Sequence, residues 1–275
     1  MMGKRFSIFA PIVLLAGLFI KVFMDTNRFK VNKIQLETDK IPVGSKLTVL
    51  QITDVHNKIF GRDHKRLIRA VKNSDADIIV LTGDLISKDT TDLADAFSLV
   101  EQITAIHPDV FFISGNHEWA NVRSEEFFEG LKERNVTILN NRNVRLDHNN
   151  ITYNLVGIDD ASTKHEDMYY AFHNINRERY TILLSHTPGI VEKYAYIPAD
   201  LILSGHTHGG QVRLPFIGAL IAPDQSIFPK LDKGIFDVGK NQHLYIDSGL
   251  GTSRAPIRFM NKSQVSLISI SNKAN

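Results

Sequence analysis

The chain has 275 residues, a length that fits one large domain or two small ones. Hydrophobic residues make up 43% of it and charged residues 23%, which excludes a disordered or low-complexity chain. Because the sequence has no cysteine, disulfide bonds, thiolate nucleophiles and cysteine-based metal sites are excluded as well. Any bound metal must therefore be held by histidine, carboxylate or amide side chains.

The net charge of +2 is unevenly distributed along the chain. Residues 1–40 carry a net charge of +4, so the rest of the chain carries −2. A protein that binds nucleic acid needs a basic face on its folded body. We therefore expect no nucleic-acid partner, and no feature of the sequence points to a protein partner.

An apolar segment comes first in chain order. Residues 6–20 contain no charge, and residues 22–24 extend the segment to nineteen residues if Lys21 reaches toward lipid headgroups. As a helix this segment is about 28 Å long at ~1.5 Å per residue, close to the ~30 Å core of a bilayer. A signal peptide is the alternative, but no small-residue cleavage site follows. We expect residues 1–24 to form a single-pass anchor, with residues 6–24 in the cell membrane.

Basic residues flank this segment on both sides, so the sequence leaves open which membrane face carries the rest of the chain. Residues 25–46 are polar, basic and weakly patterned, which predicts a linker at the membrane surface. No further segment has the composition of a linker. Residues 47–275 are therefore predicted to form a single domain.

From residue 47 onward, short apolar runs alternate with amphipathic segments, which indicates an α/β fold. Runs at 47–52, 78–81 and 110–113 predict buried strands, and the apolar spacing at 63–72 and 92–106 predicts helices between them. This order implies parallel strands with right-handed crossovers. A second, mixed sheet packed against the first, with helices outside both, is predicted from five further runs at 151–158, 180–184, 201–203, 243–246 and 264–270.

Polar side chains follow these strands at their carboxyl ends, where open α/β sheets bind ligands. The first sheet contributes Asp54, His56, Asp84, Asn116 and His117. The second sheet contributes His186, His206 and His208. So many carboxylates and imidazoles can be held together only around a cation. Mixed His, Asp and Asn ligands suit manganese, iron or zinc.

The ordered motifs resemble those of the calcineurin-like metallophosphoesterase superfamily over residues 47–270. They are Asp54-x-His56, Gly83-Asp84, Gly115-Asn116-His117-Glu118, His186 and Gly205-His206-x-His208. The run Thr207–Gln211, joined to an N-terminal anchor, is similar to the membrane-associated bacterial branch. That branch includes broad-specificity phosphodiesterases and UDP-diacylglucosamine pyrophosphatase-type enzymes. The resemblance implies a four-layer αββα sandwich and a site for two divalent metal ions.

The resemblance also implies a role for each matching residue. Asp54, His56 and His208 resemble the ligands of one metal, and Asn116, His186 and His206 resemble those of the other. Asp84 would bridge the two ions. His117 would stabilise charge on phosphorus or protonate the departing alkoxide. Two cations roughly 3.5–4 Å apart can activate water and clamp phosphoryl oxygens.

Three further side chains are candidates for substrate binding. Trp119 follows the His117 loop and offers an aromatic face to a base or sugar, with simple packing as the alternative. Arg254 and Arg258 lie in a glycine-bearing loop, where they either bind a second phosphate or headgroup or belong to a solvated loop. Residues 214–228 are apolar and form either a buried meander or an exposed lip that contacts lipid.

The favoured function is a membrane-anchored two-metal phosphoesterase that cleaves a phosphodiester or pyrophosphate bond. Its substrate is expected to be a phosphoester that is lipid-linked or nucleotide-linked. One alternative is a phosphomonoesterase with the same mechanism. Another is a metal-free relative that uses the same fold as a scaffold.

Overall fold

The computed structural model describes residues 2–225, 227–253 and 255–272, and side chains from residue 11 onward. In chain order the helices are α1 (Met2–Asn27), α2 (Lys65–Lys72), α3 (Ala94–Thr104), α4 (Asn116–Ala120), α5 (Ser124–Glu133), α6 (Met168–Ala171) and α7 (Ile190–Lys193). The strands are β1 (Phe29–Glu37), β2 (Lys46–Ile52), β3 (Ile78–Thr82), β4 (Val110–Ile113), β5 (Thr137–Ile138), β6 (Arg142–His148), β7 (Ile151–Gly157), β8 (Thr181–Leu184), β9 (Leu201–Ser204), β10 (Arg213–Leu214), β11 (Gly218–Ala219), β12 (Gly234–Gly239), β13 (Gln242–Ile246) and β14 (Ser263–Ser271).

Two six-stranded sheets form the centre of the fold. The first has the order β1-β14-β2-β3-β4-β5 and the second has the order β12-β13-β9-β8-β7-β6. Strands β2 to β5 are parallel, and so are β13, β9, β8 and β7. Antiparallel pairs lie toward the sheet edges, between β12 and β13, β6 and β7, and β14 and β2. Strands β10 and β11 form a small separate hairpin.

Three apolar clusters separate the layers of the fold. One packs α2, α3 and α5 against the outer face of the first sheet. A second lies between the sheets, where Val80 and Ile113 meet Leu184 and Leu203. A third packs α6 and α7 against the outer face of the second sheet. Because the central strands are buried on both faces, they appear in the sequence as continuous apolar runs. The predicted α/β sandwich is confirmed.

One predicted strand belongs to a different sheet from the one expected. The run at 264–270 forms most of β14, which pairs antiparallel with β2 in the first sheet and not with the second. Its Ile268 lies opposite Val49, and both are buried between the sheets. An apolar run indicates a strand but does not identify its neighbour, because the partner is set by packing across the whole fold.

The predicted linker over residues 25–46 is wrong, because residues 29–37 form strand β1. This strand pairs in parallel with β14 over nine positions. It lies at the edge of the sheet, and most of its side chains are exposed or half-buried, with Leu36 buried. An edge strand with a solvated face is polar in sequence, so it resembles a linker.

The predicted single-pass membrane anchor at residues 6–24 is also wrong. Within the ranges that the structure describes, no helix is both long and apolar enough to cross a bilayer. Helix α1 carries an ion pair between Lys21 and Asp25, and its last turn belongs to the folded body. There, buried Thr26 accepts a hydrogen bond from the backbone N–H of Arg258 at 2.8 Å.

Removing β1 tests whether it is a structural element. A variant that begins at residue 38 loses the strand that pairs with β14, so its free energy of unfolding should fall by about 3–5 kcal/mol. A variant that begins at residue 25 keeps β1 and serves as the control. Urea unfolding measures both, and equal stability of the two variants would contradict the assignment of β1 to the sheet.

Candidate metal centre

The carboxyl ends of strands from both sheets meet at one edge and bring most of the predicted ligands together. Three overlapping groups have potential ligand atoms within 4.8 Å of one another. They are Asp54, His56 and His208; Asp84, His186 and His206; and His56, Asp84 and His117. The first two groups match the two ligand sets predicted from the sequence, apart from Asn116.

Asp84 lies between the two ligand groups. Its Oδ2 is 3.5 Å from His56 Nε2 and 3.3 Å from His186 Nε2. On one side, His56 Nε2 is 3.1 Å from His208 Nε2. On the other, His186 Nε2 is 3.2 Å from His206 Nδ1. This is the arrangement that a carboxylate shared between two cations requires.

The donor set fits divalent cations. Asp54 and Asp84 are buried carboxylates, and the imidazoles around them turn one ring nitrogen each toward a neighbouring imidazole, as in the pairs His56–His208 and His186–His206. Asn116 begins α4 at the same edge, and its buried Oδ1 has no hydrogen-bond partner among the described residues. Buried acceptors that face one another without donors are unfavourable unless a cation lies between them.

Three predicted ligands, His56, His208 and Asp84, have pKa shifts that favour metal binding. Two others do not, because burial raises the pKa of Asp54 and, against burial, the charge of Asp84 raises the pKa of His186 well above its usual range. Burial lowers the pKa of His56 to about 4 and lowers the pKa of His208 well below its usual range. Burial alone would raise the pKa of Asp84, but His186 and His56 hold this pKa well below its ordinary value. Neutral imidazoles and an ionised carboxylate are the forms that coordinate a metal.

Backbone strain is concentrated at the same positions. Asp54, His56, Asp84, His206 and His208 all have left-handed backbone angles, with φ between 47° and 68°. Non-glycine residues rarely adopt this region, at a cost of about 1–3 kcal/mol each. The fold therefore holds these five side chains in place against local preference.

Two of the histidines are oriented by hydrogen bonds on the ring nitrogen that faces away from the cluster. His186 Nδ1 lies 2.8 Å from the Thr82 carbonyl oxygen. His56 Nδ1 lies 3.2 Å from Ser87 Oγ. A partner on the outer nitrogen fixes the ring and leaves the inner nitrogen available to a metal.

His117 is half-buried at the rim of the cluster. Its Nδ1 accepts the backbone N–H of Lys88 at 3.0 Å, which places the ring proton on Nε2. Its own backbone N–H donates to Asp84 Oδ1 at 3.0 Å. The ring stands edge-on to His56, with centroids 4.6 Å apart. His117 is therefore a hydrogen-bond donor beside the predicted ligands.

Glu118 is a functional residue whose role the sequence analysis missed. Its buried carboxylate accepts the backbone N–H groups of Asp84 and Gly115 at 2.9 and 2.8 Å. It also accepts those of Leu85 and Ile86 at 2.7 and 3.3 Å. Glu118 thus ties the loop after β3 to the start of α4. Its place three residues after Gly115, in the first turn of α4, was a signal for such a role.

The three predicted substrate-binding residues have different outcomes. Trp119 stacks on His165, with centroids 4.1 Å apart, and its Nε1 donates to Asp159 Oδ1 at 2.6 Å, so one ring face is already covered. Arg258 is fully buried, and its guanidinium donates to the carbonyl oxygens of Gly251 and Ser248. The role predicted for Arg258 is therefore wrong, because its donors are used inside the protein. Arg254 lies outside the described residues.

The segment 214–228, named the lip below, has exposed apolar side chains among its described residues and does not form a buried meander there. Phe216 is fully exposed and Ile221 is 61% exposed. Ala219 and Ala222 are the buried contacts that fasten the lip to the body. An apolar cavity of about 310 Å³ lies beneath it, lined on one side by Ile221 and Pro223 and on the other by His208 and Gln211.

Replacing Glu118 tests its role in joining the two loops. Glu118→Ala leaves four backbone N–H groups without their acceptor, so the free energy of unfolding should fall by about 2–4 kcal/mol. Urea unfolding measures the loss. Glu129→Ala, which removes an exposed carboxylate on α5, is the control and should leave stability unchanged. Wild-type stability of Glu118→Ala would rule out this role.

Comparison with known proteins agrees with this geometry. Residues 47–210 match the family model of the calcineurin-like phosphoesterases. An uncharacterized metallophosphoesterase of Aquifex aeolicus is 28% identical over 92% of this chain and 95% of its own length. The metallophosphoesterase YkoQ of Bacillus subtilis is 28% identical over 89% of this chain and 92% of its own length.

Among solved structures, a dimetal phosphatase from Danio rerio covers 74% of this chain and 88% of its own length. It is 13% identical, with a TM-score of 0.45. The match to the family model covers more than half of the sequence and includes every predicted ligand. This chain therefore belongs to the calcineurin-like phosphoesterase family and is a metal-dependent phosphoesterase.

Proposed function

We propose that this phosphoesterase hydrolyses a phosphodiester or pyrophosphate bond with two divalent cations. Asp54, His56 and His208 would hold one cation, and Asn116, His186 and His206 the other. Asp84 would be shared, and its position between His56 and His186 is the observation that carries the proposal. Bound metals of this kind lower the pKa of water and neutralise phosphoryl oxygens. The nitrogen and oxygen ligands suit manganese, iron or zinc.

The protein's own groups would orient the phosphate and donate a proton to it. His117 presents Nε2–H at the rim, because its Nδ1 already accepts the backbone N–H of Lys88. From there it can donate to a phosphoryl oxygen or to the leaving oxygen. Glu118 would fix the relative positions of Asp84 and Asn116, because it accepts hydrogen bonds from the backbone of Asp84 and from Gly115, which precedes Asn116.

The surface beside the cluster favours a diester over a monoester. A diester carries a second substituent, which needs space next to the phosphate. The cavity beneath the lip provides such space, because His208 is part of both its lining and the ligand cluster.

The same surface favours a lipid-bearing substituent over a nucleotide. Apolar side chains such as Ile221 and Leu220 line the cavity, and exposed apolar patches commonly mark contacts with apolar ligands. Stacking of a base on Trp119 is less favoured, because His165 covers one face of that ring. We infer that the substrate is a phosphodiester or pyrophosphate with an acyl or alkyl chain under the lip.

Two substitutions separate metal binding from proton donation. Asp84→Ala should abolish diester hydrolysis and reduce the bound metal to one ion or none, because the shared ligand is lost. His117→Ala should keep both ions and lose about 10²- to 10⁴-fold in kcat. Metal analysis and a chromogenic diester assay measure the two effects. His243→Ala, which removes a half-buried imidazole on β13 outside the ligand cluster, is the control. Equal metal loss in both test variants would refute the role of His117.

A charge placed on the lip tests the lipid-bearing substituent. Ile221→Glu should lower kcat/KM for a p-nitrophenyl phosphodiester with a long alkyl chain by about tenfold or more. The reason is that each CH₂ group that stays in water instead of the cavity loses ~0.8 kcal/mol of binding free energy. Bis(p-nitrophenyl) phosphate should be hydrolysed as before. Val43→Glu, an equally exposed site elsewhere on the chain, is the control. A similar change for both substrates would argue against an apolar subsite.

A further inference from the structure

The lip contributes one carboxylate to the surroundings of the metal centre. Asp224 Oδ2 lies 2.7 Å from His206 Nε2. Asp224 is 18 residues after His206 in the chain and belongs to none of the sequence motifs. Its side chain is 58% exposed, so its position depends on the lip and not on burial in the core.

This contact determines which ring nitrogen of His206 carries the proton and which carries the lone pair. A carboxylate accepts hydrogen bonds, so the ring proton of His206 belongs on Nε2, next to Asp224. The lone pair is then on Nδ1, which lies 3.2 Å from His186 Nε2 inside the ligand group. A hydrogen-bonded carboxylate also makes the opposite nitrogen a better metal ligand.

The three oriented histidines differ in the chemistry of their outer partners. His186 is held by the carbonyl of Thr82, at the end of β3, and His56 is held by the hydroxyl of Ser87, in the loop that follows β3. Both of these partners are neutral. His206 is held by a charged group from a surface segment. The orientation of His206 therefore depends on where the lip lies.

Hydrogen bonds within and around the lip hold Asp224 in place. The Gln225 side chain donates to the Leu231 carbonyl at 2.8 Å and accepts the Leu231 N–H at 3.0 Å. The Phe228 N–H donates to the Leu220 carbonyl at 2.9 Å. Asp224 itself has a left-handed φ of 57°, a backbone conformation that non-glycine residues rarely adopt.

We propose that Asp224 is a positioning residue that fixes the tautomer and orientation of His206 and so couples the lip to one of the two cation positions. This inference rests on the metal ligands assigned under the proposed function. Loss of Asp224 should weaken the cation held by Asn116, His186 and His206 and spare the one held by Asp54, His56 and His208. By thermodynamic reciprocity, metal binding should in turn make the lip more ordered.

The test titrates full-length protein with Mn²⁺ alone. Calorimetry and metal counting are applied to wild type, Asp224→Ala, Asp224→Asn and Asp224→Glu. One of two Mn²⁺ ions should bind about 10- to 100-fold more weakly in the Ala and Asn variants. Asp224→Glu should recover part of the loss, because it restores a carboxylate. Asparagine has nearly the same size and shape as aspartate. Asp224→Asn therefore tests the loss of the carboxylate charge even if Asp224→Ala perturbs the lip.

The matched control is Asp237→Ala. Asp237 is also an exposed carboxylate on a histidine ring, 2.8 Å from His243 Nδ1, but it lies on β12 outside the ligand cluster. Its variant should bind Mn²⁺ as wild type does. A second readout is hydrogen exchange in residues 220–225, which should slow when Mn²⁺ is added to wild type and not when it is added to Asp224→Asn.

The outcomes separate this inference from the proposed reaction. Two Mn²⁺ ions bound with wild-type affinity by both Asp224→Ala and Asp224→Asn would overturn the role of Asp224, even if the wild-type protein hydrolyses a diester. Selective loss of one ion would support that role even if no diester is hydrolysed, in which case the proposed reaction alone fails. Wild-type protein that binds fewer than two Mn²⁺ ions would contradict both.

Discussion

The constraint on which the rest of the structure depends is the crowding of buried carboxylates and imidazoles where the two sheets meet. Asp54 and Asp84 lie out of contact with solvent beside four histidines, an arrangement that is unfavourable without bound cations. Left-handed backbone angles at five of these positions add to the cost. The three apolar clusters that pack the sheets and helices hold this assembly together.

Buried charged side chains outside the ligand set stabilise the loops that carry the ligands. Glu118 accepts N–H groups from the loop after β3 and from Gly115. Arg258 donates to the carbonyl oxygen of His208 and to those of Ser248 and Gly251, on the neighbouring loop after β13. Each compensates for its own burial by binding several backbone groups. These hydrogen bonds help to hold the loops around the predicted ligands in place.

The surroundings of the cluster are asymmetric. One side has His117, which offers a proton, and beyond it the stacked pair of Trp119 and His165. The other side has the apolar cavity under the lip. Asp224, on the lip, links this segment to the ligand cluster through its hydrogen bond with His206.

The sequence by itself determined the central strands and the positions of the predicted ligands, because both depend on local order along the chain. A predicted ligand that directly follows a buried run, such as Asp84 after β3, can be located without knowing the fold. Pairing between distant segments was decided only in three dimensions, as for β1 beside β14 and β14 beside β2. The same holds for the burial of Arg258, the exposure of the lip and the contact between Asp224 and His206. The composition of these segments is compatible with burial or exposure and with pairing or no pairing. Only the neighbours that the folded chain brings together decide between these possibilities.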